Sequence, residues 1–368
     1  MSLVHRALPV LSLVLAAVLP AQAAPRLETV IEGLKTPWAV AFLPGGTLLV
    51  TERDGRMRTA QPGGKPSAPI QGLPAIDVGG QGGLLDVQPD SDFARSRTLY
   101  FCFAEPGEDG KTNSTALARA RLSEDLKRLT DVKVIFSQKP KVESKLHFGC
   151  RIAEAPDGKL FLSLGERFTQ MARAQTLDNH LGKIVRVGKD GSVPADNPFV
   201  NTPGALPEIW SYGHRNSQGL VFDAQGRLWQ HEHGPQGGDE LNLIRPKLNY
   251  GWPVITYGEN YGGGKIGEGI AAKAGMEQPL VKWVPSIAPS GLARLRSDRY
   301  GPGWQGSFFI GSLKFGYLER VRLDADNRPV EQERLFPDTG RLRDVREGPD
   351  GLLYLVLENA GRVVRVEP

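Results

Sequence analysis

The chain has 368 residues, of which 45 are Lys or Arg and 41 are Asp or Glu, and its formal net charge is +4. This near-balance, without any block of like charges, excludes the charge pattern of a nucleic-acid-binding protein. Two cysteines are too few for a disulfide-dense scaffold, and the length is ample for an ordinary hydrophobic core.

Residues 1–24 predict a secretory signal peptide. The segment starts weakly basic, is apolar over residues 8–19, and has Ala-Gln-Ala at 21–23 as a small-residue cleavage site. The apolar run is too short for a permanent transmembrane helix, and no second long run follows, so no membrane span is expected. The sequence therefore predicts a periplasmic protein that consists of residues 25–368.

One unit recurs six times along the mature chain: a turn with glycine, a short alternating apolar strand, then a polar loop. Segments with strand periodicity and hardly any helical periodicity predict an all-β fold. The spacing of the units is that of four-stranded propeller blades with variable loops. We therefore predict a six-bladed β-propeller of four-stranded antiparallel blades, in which the equivalent apolar positions are Leu48, Leu99, Leu160, Leu228, Phe308 and Leu353.

The two ends of the chain are expected to share a blade. Residues 27–31 and 362–366 both read as strands, and their pairing would close the ring and leave few exposed edges. No linker divides the chain, so residues 25–368 are predicted to form one domain. A closed ring has an axial channel, and we expect the loops after each inner strand to surround one mouth of it.

The densest group of polar residues lies at 211–219 and 231–240, on either side of the strand at 220–229. Guanidinium, imidazole, amide and carboxylate groups on glycine-rich loops are typical of a binding site rather than of a core. The turn at 234–240 could present carbonyl oxygens beside carboxylates, which are ligands that calcium prefers.

Other candidates are predicted at the same mouth. His147 precedes an apolar strand, where a histidine alone is more often structural than a base. Arg215, Lys314, Arg341 and Arg343 would supply a row of cations suited to a polyanionic ligand. Nothing in the sequence resembles a nucleophile elbow, a Walker loop, a Rossmann fingerprint or a zinc-binding histidine pair.

Eight segments resemble the soluble aldose sugar dehydrogenases that use pyrroloquinoline quinone (PQQ). The resemblance runs in order over the whole mature chain, and it implies a six-bladed propeller that oxidises the anomeric hydroxyl of aldoses to lactones. The segments that carry it are residues 34–44, 80–87, 147–151, 182–186, 213–219, 232–240, 249–253 and 288–291.

The resemblance implies a role for each candidate residue. His147 would be the general base, and Arg215 would polarise the quinone carbonyl. Gly234 and Pro235 would give carbonyl oxygens to a Ca²⁺ ion that chelates the quinone. The further residues implied to hold PQQ are Gln81, Asn216, Tyr261, Lys314, Arg341 and Arg343, and those implied to hold a second, structural Ca²⁺ are Glu240 and Tyr250, the latter through its carbonyl.

Several alternatives stay open. A calcium-dependent lactonase-like hydrolase or a non-catalytic propeller that binds carbohydrate or protein could share this fold. Cys102 and Cys150 could form a disulfide or remain two buried thiols, and Cys150 stands where the family pattern has a smaller residue. The preferred aldose and the electron acceptor are not predicted, and the protein is expected to be a monomer or a weak dimer.

Overall fold

The computed structural model describes residues 24–368, so all but the last residue of the predicted signal peptide lies outside the described residues. Those residues form 23 strands, one short helix and two 3₁₀ turns. No helix among them has the length and apolar character that crossing a membrane requires.

The elements have the following bounds: β1 Arg26–Ile31, β2 Pro37–Phe42, a 3₁₀ turn Pro44–Gly46, β3 Leu48–Glu52, β4 Arg56–Ala60, β5 Leu84–Pro89, α1 Phe93–Ser96, β6 Thr98–Pro106, β7 Asn113–Leu122, β8 Leu129–Ser137, β9 Gly149–Glu154, β10 Leu160–Leu164, a 3₁₀ turn Met171–Gln175, β11 Lys183–Val187, β12 Ile209–Tyr212, β13 Ser217–Phe222, β14 Leu228–Glu232, β15 Asp239–Ile244, β16 Val281–Trp283, β17 Pro289–Arg294, β18 Phe308–Ser312, β19 Leu318–Leu323, β20 Pro329–Leu335, β21 Leu342–Glu347, β22 Leu353–Leu357 and β23 Arg362–Glu367.

The strands form six antiparallel sheets that follow one another in a ring, which confirms the predicted six-bladed propeller. Blade 1 is β2–β4, blade 2 is β5–β8, blade 3 is β9–β12, blade 4 is β13–β16, blade 5 is β17–β20, and blade 6 is β21–β23 with β1. The innermost strands β2, β5, β9, β13, β17 and β21 each contact the next around the ring. Blade 1 has only three regular strands, and an irregular segment at Ser67 and Ile70 hydrogen-bonds to β4 in place of a fourth.

The apolar segment that repeats in the sequence is the second strand of each blade. The six apolar positions predicted to be equivalent each lie at the first or second residue of that strand. One expectation was wrong: the loops at the mouth described below precede the innermost strands rather than follow them. The reason is strand polarity, because each innermost strand is antiparallel to the repeated strand beside it. The mouth is therefore built from loops before the innermost strands and loops after the repeated strands.

The ends of the chain close the ring, as predicted. Strand β1 pairs with β23, so that Leu27 lies opposite Val366 and Thr29 opposite Val364. The two ends of the chain are therefore hydrogen-bonded in one blade, in which β1 is the outermost strand.

The core lies between neighbouring blades because side chains alternate across each sheet. In β10, Leu160, Leu162 and Leu164 pack in one cluster with residues of blade 2 such as Tyr100. Phe161, on the other face of the same strand, packs in a second cluster with residues of blade 4.

Three buried charges, Asp86, Arg151 and Asp344, and the half-buried Arg346 meet at the centre of the ring. Arg151 Nη1 lies 3.2 Å from Asp86 and 2.9 Å from Asp344, and Arg346 contacts the same two carboxylates at 2.5 and 3.0 Å. Arg151 also stacks on Trp38, with 4.4 Å between the guanidinium carbon and the ring centroid. This four-charge cluster links the innermost strands of blades 2, 3 and 6 and lies between two large cavities at opposite ends of the channel.

Substitution of Arg151 by Met is expected to lower the free energy of unfolding by about 3 kcal/mol, because the change leaves buried carboxylates incompletely compensated. Guanidinium chloride unfolding would measure this loss. The matched control is Arg322→Met, which breaks an exposed ion pair with Glu331 and should cost less than about 1 kcal/mol. Equal effects of the two changes would contradict a stabilising role for the cluster.

Cys102 and Cys150 form a disulfide, with their Cα atoms 5.8 Å apart. The bond joins β6 of blade 2 to β9 of blade 3, and both residues are fully buried. The structure therefore favours the first of the two alternatives that the sequence left open.

Candidate active site

A cavity of about 840 Å³ opens at one mouth of the channel. This is the mouth that is surrounded by the loops before the innermost strands. Its volume is in the range of sites that bind cofactors or drug-sized molecules. Every blade contributes to its wall, with Arg53, Gln81, Phe148, Gln218, Lys314 and Arg343 as examples in blade order.

Cations gather on one side of this cavity around a single carboxylate. Arg343 contacts Glu358 at 2.9 Å, Arg341 contacts it at 3.2 Å, and Arg53 lies 3.5 Å away. Burial raises the pKa of Glu358, but the three guanidinium groups outweigh it and hold the pKa below its usual value. Lys314 lines the same cavity. Four cations and one carboxylate leave this side of the wall positive, which suits an anionic ligand.

His147 is buried directly behind the wall. Its backbone N–H donates to Gln81 Oε1 at 2.8 Å, and its Nδ1 lies 2.9 Å from Glu166 Oε1. Burial, together with the positive charges of Arg215 and Arg167, holds the pKa of His147 well below its usual range. The imidazole is therefore neutral at neutral pH, and Nε2 is the nitrogen that remains for proton transfer.

Glu166 is a residue of the candidate site that sequence reasoning missed. Burial raises its pKa to about 7, although the charge of Arg215 opposes the shift. As a carboxylate, Glu166 accepts a hydrogen bond from Nδ1–H and so leaves the lone pair on Nε2 of His147. The neighbouring Gly165 makes this approach possible, since a Cβ there would lie only 2.0 Å from the His147 carbonyl oxygen.

Arg215 lies beside a second, small cavity of about 10 Å³, which has room for one water-sized particle. Its Nη1 donates to the carbonyl of Gly234 at 2.8 Å, and its backbone N–H donates to Glu232 at 2.5 Å. Among the described residues, the buried Nε of Arg215 has no hydrogen-bond partner. This N–H group is therefore a donor that a ligand could use.

The predicted cofactor residues do not all line one cavity. Gln81, Tyr261, Lys314, Arg341 and Arg343 line the large cavity, whereas Arg215 lines the small one. His233 borders both cavities, and it is linked by a 3.3 Å contact to Asn216. Asn216 in turn accepts a hydrogen bond from Gly149 in blade 3, so it ties His147's loop to Arg215's loop rather than lining either cavity.

The predicted metal ligands divide in the same way. Gly234, Glu240 and Tyr250 line the small cavity, and Pro235 lines the large one. The Tyr250 hydroxyl donates to the Leu243 carbonyl, so its main-chain oxygen is the one left for an ion.

Few interactions stabilise the negative charge of the Glu240 carboxylate. Burial, with the nearby charge of Glu232, raises its pKa to about 8. Within residues 24–368, no three His, Cys, Asp or Glu side chains converge as a metal-binding group.

Asp239 is a second residue that the sequence did not single out. It accepts hydrogen bonds from the backbone of Gly234 at 2.8 Å and of Ile287 at 2.7 Å, and from the Ser286 hydroxyl. These bonds fix the turn that carries Gly234 and Pro235 to blade 5. The glycine-rich turn itself was the available sequence signal.

Comparison with known proteins agrees with this architecture. The sequence profile of the family described as glucose / sorbosone dehydrogenase matches residues 34–365. Aldose sugar dehydrogenase YliI of Escherichia coli is 44% identical over 95% of this chain and 94% of that protein.

Solved structures give the same result. A glucose dehydrogenase crystal structure superposes with a TM-score of 0.89 at 47% identity, covering 93% of this chain and 99% of that one. The PQQ-bound aldose sugar dehydrogenase of Streptomyces coelicolor superposes with a TM-score of 0.76 at 30% identity, covering 94% of this chain and 99% of that one. The fold, the profile match and these relatives together show that the chain belongs to the glucose/sorbosone dehydrogenase family.

Proposed function

We propose that this protein is a PQQ-dependent aldose sugar dehydrogenase that oxidises the anomeric hydroxyl of its substrate to a lactone. The observation that carries the proposal is the neutral, buried imidazole of His147 beside a cavity with a cationic wall. The names of the relatives support the same reaction, since they include aldose sugar dehydrogenases and a PQQ-bound structure.

The residues of the site fit the cofactor. PQQ is a flat tricarboxylic acid, and Lys314, Arg341 and Arg343 offer cations for its carboxylates. The unpartnered Nε of Arg215 offers a donor for an oxygen atom. When bound, PQQ supplies the acceptor for the hydride, which no protein side chain can accept.

The chain's own part in the reaction is to remove a proton. Nε2 of His147 takes the proton from the anomeric hydroxyl, while Nδ1–H donates to the Glu166 carboxylate. Glu166 stabilises the imidazolium that forms, and Gln81 holds the backbone of His147 in place. Burial, together with the positive charges of Arg215 and Arg167, lowers the pKa of the imidazole and keeps it unprotonated before the reaction.

Calcium is part of the proposal. Main-chain oxygens of Gly234 and Pro235 would hold the ion next to the cofactor, and Glu240 with the Tyr250 carbonyl would hold a second ion. Hard oxygen donors of this kind suit Ca²⁺. The incompletely compensated Glu240 beside the small cavity supports a cation there.

We further propose that the protein is exported to the periplasm. The signal-peptide pattern of residues 1–24 supports export, and so does the disulfide, since such bonds persist in oxidising compartments.

Reconstitution tests the proposed function. The purified mature protein would be loaded with Ca²⁺ and PQQ, and the reduction of an artificial electron acceptor would be followed with a panel of aldoses. We expect turnover with at least one aldose and a change in PQQ absorbance on binding. No turnover together with no absorbance change would overturn the proposal.

Substitution of Lys314 by Ala is expected to weaken PQQ binding roughly tenfold at low salt, and the difference should shrink as salt screens the exposed charge. Titration of PQQ absorbance would measure both effects. The matched control is Lys127→Ala, which removes an exposed lysine on the β7–β8 turn and should leave affinity unchanged. Equal affinities of the two variants for PQQ would show that Lys314 does not bind the cofactor.

A further inference from the structure

The backbone around His147 has an unusual conformation. The φ angles of His147, Gly149 and Cys150 are 50°, 68° and 74°, all in the left-handed region. Glycine adopts this region freely, but residues with a Cβ do so rarely and only when the surrounding structure imposes it. His147 and Cys150 must therefore be held in this conformation by their contacts.

Hydrogen bonds hold the first three residues of this segment. Gln81 binds the His147 N–H at 2.8 Å, the Thr115 hydroxyl donates to the Phe148 carbonyl at 2.7 Å, and Gly149 donates to Asn216 at 3.2 Å. These bonds come from blades 2 and 4, so the segment is fixed from both sides up to Gly149.

Cys150 is held in a different way. It lies in a β-bulge, because the pairing of β9 with β10 is regular up to Ile152 opposite Leu162 and resumes only at Gly149 opposite Leu164. The bulge interrupts the hydrogen-bond ladder at Cys150. The disulfide anchors this position to Cys102 in β6, a strand that is paired on both sides and completely buried there.

We propose that the Cys102–Cys150 disulfide is a positioning element for His147: it holds Cys150 in the left-handed conformation that a residue with a Cβ otherwise avoids, and so keeps the imidazole aligned with Glu166. The inference rests on the proposed function only in taking His147 as the base. Both sulfur atoms are buried, which makes the bond a permanent link rather than a switch.

Two double variants separate the covalent link from the backbone conformation. Cys102→Ala with Cys150→Ala removes the bond and keeps a Cβ in the left-handed region. Cys102→Ala with Cys150→Gly also removes the bond but allows the same backbone without strain. Both variants would be made in the full mature chain and loaded with Ca²⁺ and PQQ.

We expect the Ala/Ala variant to lose roughly tenfold in kcat, with the KM for the aldose changed less than twofold, because small misplacements of a base are costly. The Ala/Gly variant should recover most of that loss. Without any substrate, NMR titration of the His147 ring in isotope-labelled protein should show its pKa rising towards the ordinary value in Ala/Ala and staying low in Ala/Gly.

Three outcomes decide the proposal. A kcat within twofold of the unmodified protein and an unchanged His147 titration in Ala/Ala would overturn it, as would equal losses in two folded variants. Recovery in Ala/Gly supports it, even if Ala/Ala fails to fold. If the unmodified protein oxidises no aldose, the proposed function fails, but the NMR titration still tests the positioning role.

Discussion

Substitution of His147 by Ala is expected to abolish measurable sugar oxidation, with a loss of roughly 10² to 10⁴-fold in kcat. The reason is that His147 Nε2 is the one nitrogen of this buried dyad that is left to accept a proton. Binding of PQQ should remain largely intact, because the cations proposed to hold its carboxylates, Lys314, Arg341 and Arg343, are unchanged. Steady-state turnover and PQQ absorbance titration measure the two effects separately.

The matched control is His180→Ala. His180 is also buried, but its ring lies 3.2 Å from Glu208 and accepts a hydrogen bond from the Lys139 backbone, away from the cavity. Its loss should lower stability while turnover per folded molecule stays the same. If His147→Ala lost cofactor binding as well as turnover, the role of His147 would be structural.

Substitution of Glu166 by Gln is expected to lower kcat by roughly 10 to 100-fold and to flatten the pH profile. Above pH 7 the Glu166 carboxylate is ionised and accepts from Nδ1–H, so Nε2 of His147 is a free base. Below its pKa of about 7, the carboxylic acid donates to Nδ1 and the ring proton moves to Nε2, which then has no lone pair to use. Activity should therefore rise with pH between about 6 and 8.

The expected rise of activity with pH follows the protonation of Glu166 and His147 as a pair, because the two groups titrate together. Protonation of His147 alone would cause a loss only well below pH 6.5, since burial lowers its pKa. A kcat profile that is flat from pH 6 to 8 in the unmodified protein would contradict the assignment to Glu166.

The control for this change is Glu105→Gln. Glu105 is the last residue but one of the repeated strand of blade 2, and Glu166 follows the repeated strand of blade 3. Glu105 contacts Lys141 and Ser114 instead of a histidine. We expect kcat within twofold and an unchanged pH profile in this variant. A loss of kcat as large as that of Glu166→Gln would contradict a specific role of Glu166, because it would show that a carboxylate without a histidine partner has the same effect.

The propeller could be predicted because its signals are local. Period-two alternation and glycine turns recur in each unit, and the aligned apolar residues all lie at the start of the second strand of a blade. The irregular edge of blade 1 could not be predicted, since tertiary hydrogen bonds near Ser67 decide it. The direction in which each innermost strand runs also depends on pairing rather than on local sequence.

The carboxylates that hold the site could have been found from the repeat. Four of the units end in a carboxylate at the last position of their apolar strand or just after it: Glu52, Glu166, Glu232 and Glu358. In the structure each binds a group just before the innermost strand of its own blade: the Lys35 backbone, His147, Arg215 and Arg341, respectively. The sequence repeat predicted the number of blades. Alignment of its units would also have identified these carboxylates, because they lie at equivalent positions.

The four-charge cluster around Arg151 lies across the axial channel and separates the cavity at the mouth from the cavity at the other end. In the proposed reaction, the sugar and the departing lactone would then use the same opening. The product would therefore have to leave before the next sugar molecule could enter.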